Sequence, residues 1–119
     1  MLTLPIKKKW FDMIKAGIKK EEYREIKPYY DSRFGNAIYG LPLKFISQEL
    51  KEKTFGKKDF DVKFTNGYGY SVPDLYCKCT LKIGQGKSEW GAELNKEYYV
   101  LEILEVQNVE WRWNKNKNR

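Results

Sequence analysis

Gly17-Ile18-Lys19-Lys20-Glu21-Glu22-Tyr23-Arg24 follows the best helical pattern in the chain, packs alternating charge and offers no apolar face of its own. As a strand, its period-two geometry puts Glu22 and Arg24 on one face, about 7 Å apart, with Lys19 at the strand's mouth just after Gly17. An acid, a fixed cation and a titratable amine then converge. As a continuation of the preceding helix, Trp10, Ile14 and Ile18 keep a spacing of four, and the Lys/Glu-rich run suits a helix too. Local pattern leaves both conformations open.

Upstream, Leu2 to Ile6 reads as a short first strand with Pro5 tolerated at an edge or end. Lys7 to Ala16 reads as a helix with Trp10, Phe11, Met13 and Ile14 on its buried stripe, ended by a left-handed cap at Gly17. Downstream, Lys27 to Gly35 reads as a loop or short helical turn, Gly40 to Pro42 as a break, and Leu43 to Lys53 as a short amphipathic helix through Phe45, Ile46 and Leu50. Phe60 to Phe64 alternates as a half-buried strand, followed by the turn signal Asn66-Gly67-Tyr68-Gly69. Leu75 to Ile83 alternates again, and Glu97 to Val106 is the last clear strand. Val109 to Trp113 suggests an edge strand. One domain over residues 1–113 and a polar tail over 114–119 complete the organisation.

Three features together resemble the ASCH domain, of the small bacterial or phage type. They are the opening Leu2-Thr3-Leu4-Pro5-Ile6, the helix around Trp10 and Ile14, and Gly-x-Lys-x-x-Glu-x-Arg as Gly17, Lys19, Glu22 and Arg24. The closing run from Tyr98 to Val106 sits where that family has its last barrel strand, whereas residues 36–60 carry no resemblance. The resemblance implies an α+β fold, a small PUA-like mixed β-barrel flanked by short helices, and RNA-related function. It also decides for a strand across Lys20 to Ile26. One bacterial branch of the family hydrolyses acylated cytidine with a Lys in the Gly-x-Lys position and a Thr three residues later. Here that later position is Glu22, so only Lys19 of the pair matches.

Composition fits such a domain. The chain has 119 residues, 41% hydrophobic against 33% charged, a globular balance. Its net charge of +7 favours a polyanionic partner, and the 16% of aromatic residues supply both core and stacking surface. The absence of His excludes Ser-His-Asp and Cys-His nucleophile systems, leaving Glu, Asp, Lys, Tyr or water as general base. Both cysteines lie in Cys77-Lys78-Cys79, on one face of a strand, where they read as small buried hydrophobes rather than as a disulfide. Two Cys without His do not make the usual zinc set, and no metal or cofactor is expected. No signal peptide, transmembrane run or lipidation motif is visible, so a cytoplasmic protein without membrane contact is expected.

For RNA or a modified nucleobase, Lys19, Arg24 and Arg33 are candidate contacts to phosphate or a base edge. Tyr30, Tyr68 and Trp90 are candidate stacking planes, and Asn66 with Tyr68, on a turn, is expected to line the same cleft. Taken without the resemblance, Lys19, Glu22 and Arg24 also fit a structural ion-pair network or a solvated face. Two other functions remain open. One is hydrolysis of a nucleoside amide or an RNA phosphodiester, with Lys19 as base or nucleophile, Glu22 orienting it or carrying a proton, and Arg24 stabilising negative charge. The other is a phage or mobile-element module that binds a protein partner.

Overall fold

The computed structural model describes residues 1–69 and 71–107; the edge strand expected over Val109 to Trp113 and the tail over 114–119 lie outside them. In chain order the elements are β1 (Leu2–Ile6), α1 (Lys8–Lys15), β2 (Glu21–Arg24), α2 (Pro28–Tyr39), a 3-10 turn (Leu43–Phe45) and α3 (Gln48–Thr54). They continue with β3 (Phe60–Asn66), β4 (Asp74–Gln85), a second 3-10 turn (Ser88–Trp90) and β5 (Glu97–Val106). The five strands form one curled, half-barrel sheet in the order β1-β3-β4-β5-β2. Only β1 with β3 is parallel. The fold is therefore α+β around a small mixed sheet.

Alternation builds the core. Leu2, Leu4 and Ile6 of β1, Val62 and Phe64 of β3, Leu75, Cys77, Cys79 and Leu81 of β4, and Tyr99 and Leu101 of β5 all point to the concave face. Phe11 and Ile14 of α1 and Phe34 and Ile38 of α2 close over them. Both cysteines are free and buried. Burial pushes the Cys77 thiol up to about 12 and raises that of Cys79 as well, so both behave as hydrophobes. On β5 the register slips by one residue opposite Lys78 and Cys79, leaving Leu104 without a partner on β4 and 57% exposed. Opposite the core, Tyr98 and Val100 pack with Tyr23 and with Ala92, which the loop after β4 folds back over the sheet.

Three expectations are corrected. Lys27 to Gly35 is neither a loop nor a short helical turn: from Pro28 on it is the main part of α2, twelve residues long. Pro28 stands at the first helical positions and Asp31 in the first turn, where a missing N–H costs nothing and a carboxylate meets the positive helix end. The Pro, Asp, Ser and Gly that suggest a turn are here a helix start and, at Gly35, a contact. The amphipathic helix over Leu43 to Lys53 is instead a 3-10 turn and then α3, which Ser47 begins by accepting a hydrogen bond from the Leu50 amide. Its expected apolar stripe is not buried, with Phe45 65% and Leu50 42% exposed. Ile83, expected inward by alternation, is half exposed, because β4 runs on beyond the covered part of the sheet.

The two edge strands, β1 and β2, do not pair with each other. A side chain spans the gap: Arg24 Nη2 donates to the Pro5 carbonyl at 3.1 Å. A proline on an edge strand has a carbonyl to offer and no N–H to leave bare, which suits β1 to this contact.

Candidate functional site

The site is built where α1 hands over to β2. Gly17, at φ +77°, turns the chain out of the helix, and the amides of Ile18 and Lys19 both donate to the Met13 carbonyl at 2.9 and 3.1 Å. That turn drops the Lys19 side chain under Trp10. Its exposure is 1%. Lys19 Nζ donates to the Trp90 carbonyl at 2.5 Å, stands 3.3 Å from Glu22 Oε1, and lies 4.7 Å and 5.0 Å from the ring centroids of Trp10 and Tyr23. A carbonyl, a carboxylate and two π-faces thus enclose the ammonium.

Glu22 is the hinge of the network. Its other oxygen, Oε2, accepts from Arg24 Nη2 at 3.0 Å, and Arg24 Nη1 donates to the Tyr30 hydroxyl at 3.1 Å. Arg24 Nε is buried with no partner. The order is cation, carboxylate, cation, fixed at one end by the loop that carries Trp90 and at the other by β1 and α2. Tyr99 donates to Asp31 in the first turn of α2, holding that helix to the sheet beside Tyr30. Burial raises the Tyr99 and Tyr23 hydroxyls above the usual tyrosine range, so both stay protonated donors.

Lys19 is held below the ordinary lysine value of 10.5: loss of water from the ammonium outweighs the attraction of Glu22. Between the lowered folded value and 10.5 the unfolded chain binds more protons than the folded one. The contribution of Lys19 to stability therefore rises with pH across that window and levels off above 10.5. The stability of the wild type minus that of Lys19→Met, from urea unfolding, is expected to increase with pH as long as the pH stays below about 10, where tyrosines begin to titrate. A difference that falls with pH would mean that Glu22 outweighs burial.

A cleft of about 400 Å³ opens in front of Glu22 and Arg24. Trp10, Tyr30 and Tyr98 give it aromatic walls, Pro5 and Gly91 contribute backbone, and Lys27 and Lys96 stand on its lining. Gly91 is required there, with φ +101° and space for no Cβ, since one would come within 2.9 Å of the Trp10 ring. Lys96 lies 3.9 Å from Glu25 and 4.0 Å from Glu93, all three on the cleft lining. Lys19 is not on the wall; it sits behind Glu22.

Of the residues singled out in the sequence, Lys19, Glu22, Arg24 and Tyr30 come together. Trp90 takes part through its carbonyl; its ring, with the Lys87 ammonium 4.6 Å from the centroid, does not line the cleft. Arg33 lies on an exposed face of α2, over Tyr29 at 4.9 Å, and lines a different groove. Asn66 ends β3 opposite Ile6, and Tyr68 is 87% exposed; neither lines the cleft. Trp10, assigned to the core stripe by spacing, is half buried and forms a cleft wall. Tyr98 and the Pro5 carbonyl carry no local signal, because only the sheet order brings them to β2.

Among the described residues no group of three or more His, Cys, Asp or Glu is placed to hold a metal ion, and no helix is long and apolar enough to cross a membrane. Fold and site define a small α+β protein with an aromatic-walled cleft over a buried cation–carboxylate–cation row. Comparison of the chain with family models, with curated proteins and with solved structures finds no match.

Proposed function

We propose that the chain is an ASCH-like protein with a PUA-like barrel that binds a base of RNA or a modified nucleoside in the cleft over Glu22 and Arg24. The observation that carries this is the joining of aromatic faces to a fixed carboxylate within one concavity of about 400 Å³, in the size range of small-molecule sites. Trp10 and Tyr30 stand on the cleft lining, Trp10 with the Lys9 and Lys19 ammoniums each 4.7 Å from its ring centroid and Tyr30 stacked on Phe34 at 5.7 Å, so a base meets the parts of the two rings that these contacts leave open. Each oxygen of Glu22 keeps a lone pair beyond its partner in the row and can accept from a base N–H. Lys27 and Lys96 are the cations nearest a phosphate there, and it competes for them with Glu25, 4.0 Å from Lys27 and 3.9 Å from Lys96, and with Glu93, 4.0 Å from Lys96. The residues of the ASCH resemblance, Gly17, Lys19, Glu22 and Arg24, are the ones that make the cleft floor and its support.

The lowered proton affinity of Lys19 favours a second function, hydrolysis of a nucleoside amide or RNA phosphodiester. Since Lys19 lies behind Glu22, the carboxylate would carry the proton between amine and ligand. Titration of single-stranded RNA and of free modified nucleosides at two salt concentrations, with product analysis on the same samples, separates the two. Binding without product is expected, and Trp10→Leu is expected to weaken it by about tenfold, the scale of one lost base–aromatic stack. Turnover that disappears in Lys19→Gln would establish the hydrolase instead. An unchanged affinity in Trp10→Leu would remove the cleft from the binding site.

A further inference from the structure

A second and larger concavity, about 940 Å³, shares the first turn of α2 with the cleft. Tyr30 lines the cleft and its neighbour Tyr29 lines this groove, their rings edge to face with centroids 5.0 Å apart. Ser32, Arg33 and Asn36 follow Tyr29 at spacings of three, four and seven, on one side of the helix. Tyr29 is 54% exposed, and the Arg33 guanidinium lies 4.9 Å from its ring centroid. Among the described residues no carboxylate pairs with Arg33. Asp61, on the same groove, is paired with Lys78 at 2.9 Å. The groove therefore offers a π-face and a cation that no carboxylate of the described residues neutralises.

The same pairing recurs on the other side of the turn, where Arg24 and Lys27 lie 5.7 Å and 5.5 Å from the Tyr30 ring. Two consecutive tyrosines, each backed by a cation, face two adjoining concavities. We infer that the ligand is a single-stranded RNA that places one base in the cleft and the next nucleotide on Tyr29 and Arg33, with the first turn of α2 separating the two. The inference rests on the proposed role of the cleft and narrows its ligand from a free nucleoside to a strand. A mononucleoside occupies the cleft alone and leaves the groove without a ligand. A duplex keeps its bases paired and stacked, and presents neither tyrosine with a free base face. A strand engages both, because stacking on an aromatic ring is open to any unpaired base and an adjacent guanidinium meets its phosphate.

The experiment compares a five-nucleotide single-stranded RNA, a 20-base-pair RNA duplex and a mononucleoside against the wild type, Tyr29→Ser/Arg33→Gln and Trp10→Leu. Both side chains of the double variant are largely solvent-facing, so its fold is expected to persist, as checked by circular dichroism. The double variant is expected to bind the pentanucleotide about tenfold or more weakly, with the slope of log affinity against log salt reduced by about 0.7, while mononucleoside binding is unchanged. Trp10→Leu is expected to weaken both ligands. Wild-type affinity for the pentanucleotide in the double variant, with Trp10→Leu still impaired, overturns the inference and leaves the cleft's role standing. A wild type that binds only the duplex, or none of the three, overturns both and leaves a protein partner to be sought.

Discussion

Replacing Glu22 by Leu is expected to destabilise the protein by about 3–5 kcal/mol, the cost of leaving a buried charge without its partner. Lys19 is 1% and Glu22 7% exposed, so neither end of the pair recovers solvation when the other is removed. The ammonium keeps the Trp90 carbonyl and two ring faces, but none of these carries charge. On the other side Arg24 loses its only carboxylate among the described residues and keeps Pro5 and Tyr30. The consequence is read as a fall in Tm of roughly 15 °C by thermal denaturation. A second test uses Lys19→Met/Glu22→Leu, which takes both charges away. It is expected to recover much of the loss, since a buried ion pair replaced by apolar groups of similar volume is often close to neutral. If the single variant melts with the wild type, the enclosure of Lys19 described above is wrong.

Gly35→Ala is expected to cost about 3 kcal/mol, although helix propensity alone favours alanine over glycine by about 1 kcal/mol. Gly35 is buried in α2 against the segment that follows the helix. A Cβ there would lie 2.3 Å from the Leu41 carbonyl oxygen, 2.4 Å from the Leu43 nitrogen and 2.7 Å from the Pro42 carbonyl carbon. All three are backbone atoms, which cannot swing aside as a side chain does. Relief requires moving α2, and α2 carries Tyr29, Tyr30 and Asp31. Loss of the proposed RNA affinity is thus expected alongside a lower Tm. A variant as stable as the wild type, or more so, would show that the helix does not sit this close to residues 41–43.

Both expectations turn on what Glu22 and Gly35 touch, and both would be misjudged from local sequence. Glu22 in a Lys/Glu-rich run fits a solvated face, where its loss would cost little, as readily as an ion-pair network or a site. Gly35 after Pro28, Asp31 and Ser32 reads as part of a loop. The residues of the candidate site show the same division. Period-two spacing is enough to put Glu22 and Arg24 on one face, and the positive φ of Gly17 follows from the place of a glycine at a helix end. No spacing relates Arg24 to Pro5, nineteen residues away, or Lys19 to Trp90, seventy-one residues away.

β1, β3, β4 and β5 were legible because each has one buried apolar face, so hydrophobicity alternates along the chain and marks the element wherever it sits; β2, whose buried residue is Glu22, shows no such alternation. The last strand, Glu97 to Val106, keeps its expected bounds for that reason, and so do the buried positions of Cys77 and Cys79. Helices whose burial is small or shared gave a weaker pattern. α3 buries no residue and α2 only Phe34, Gly35 and Ile38, which left turn-like residue types to dominate the reading. Residue pattern by itself determined an α+β chain and left the charged run after the first helix open between helix and strand. The tertiary structure alone decided that β1 and β2 end at opposite edges of one curled sheet, close enough for an arginine to span them. That closure, with the Trp90 loop and Trp10 enclosing Lys19, takes Lys19 and Glu22 out of water and partly buries Arg24, and desolvation turns an ordinary charged run into the floor and support of a cleft.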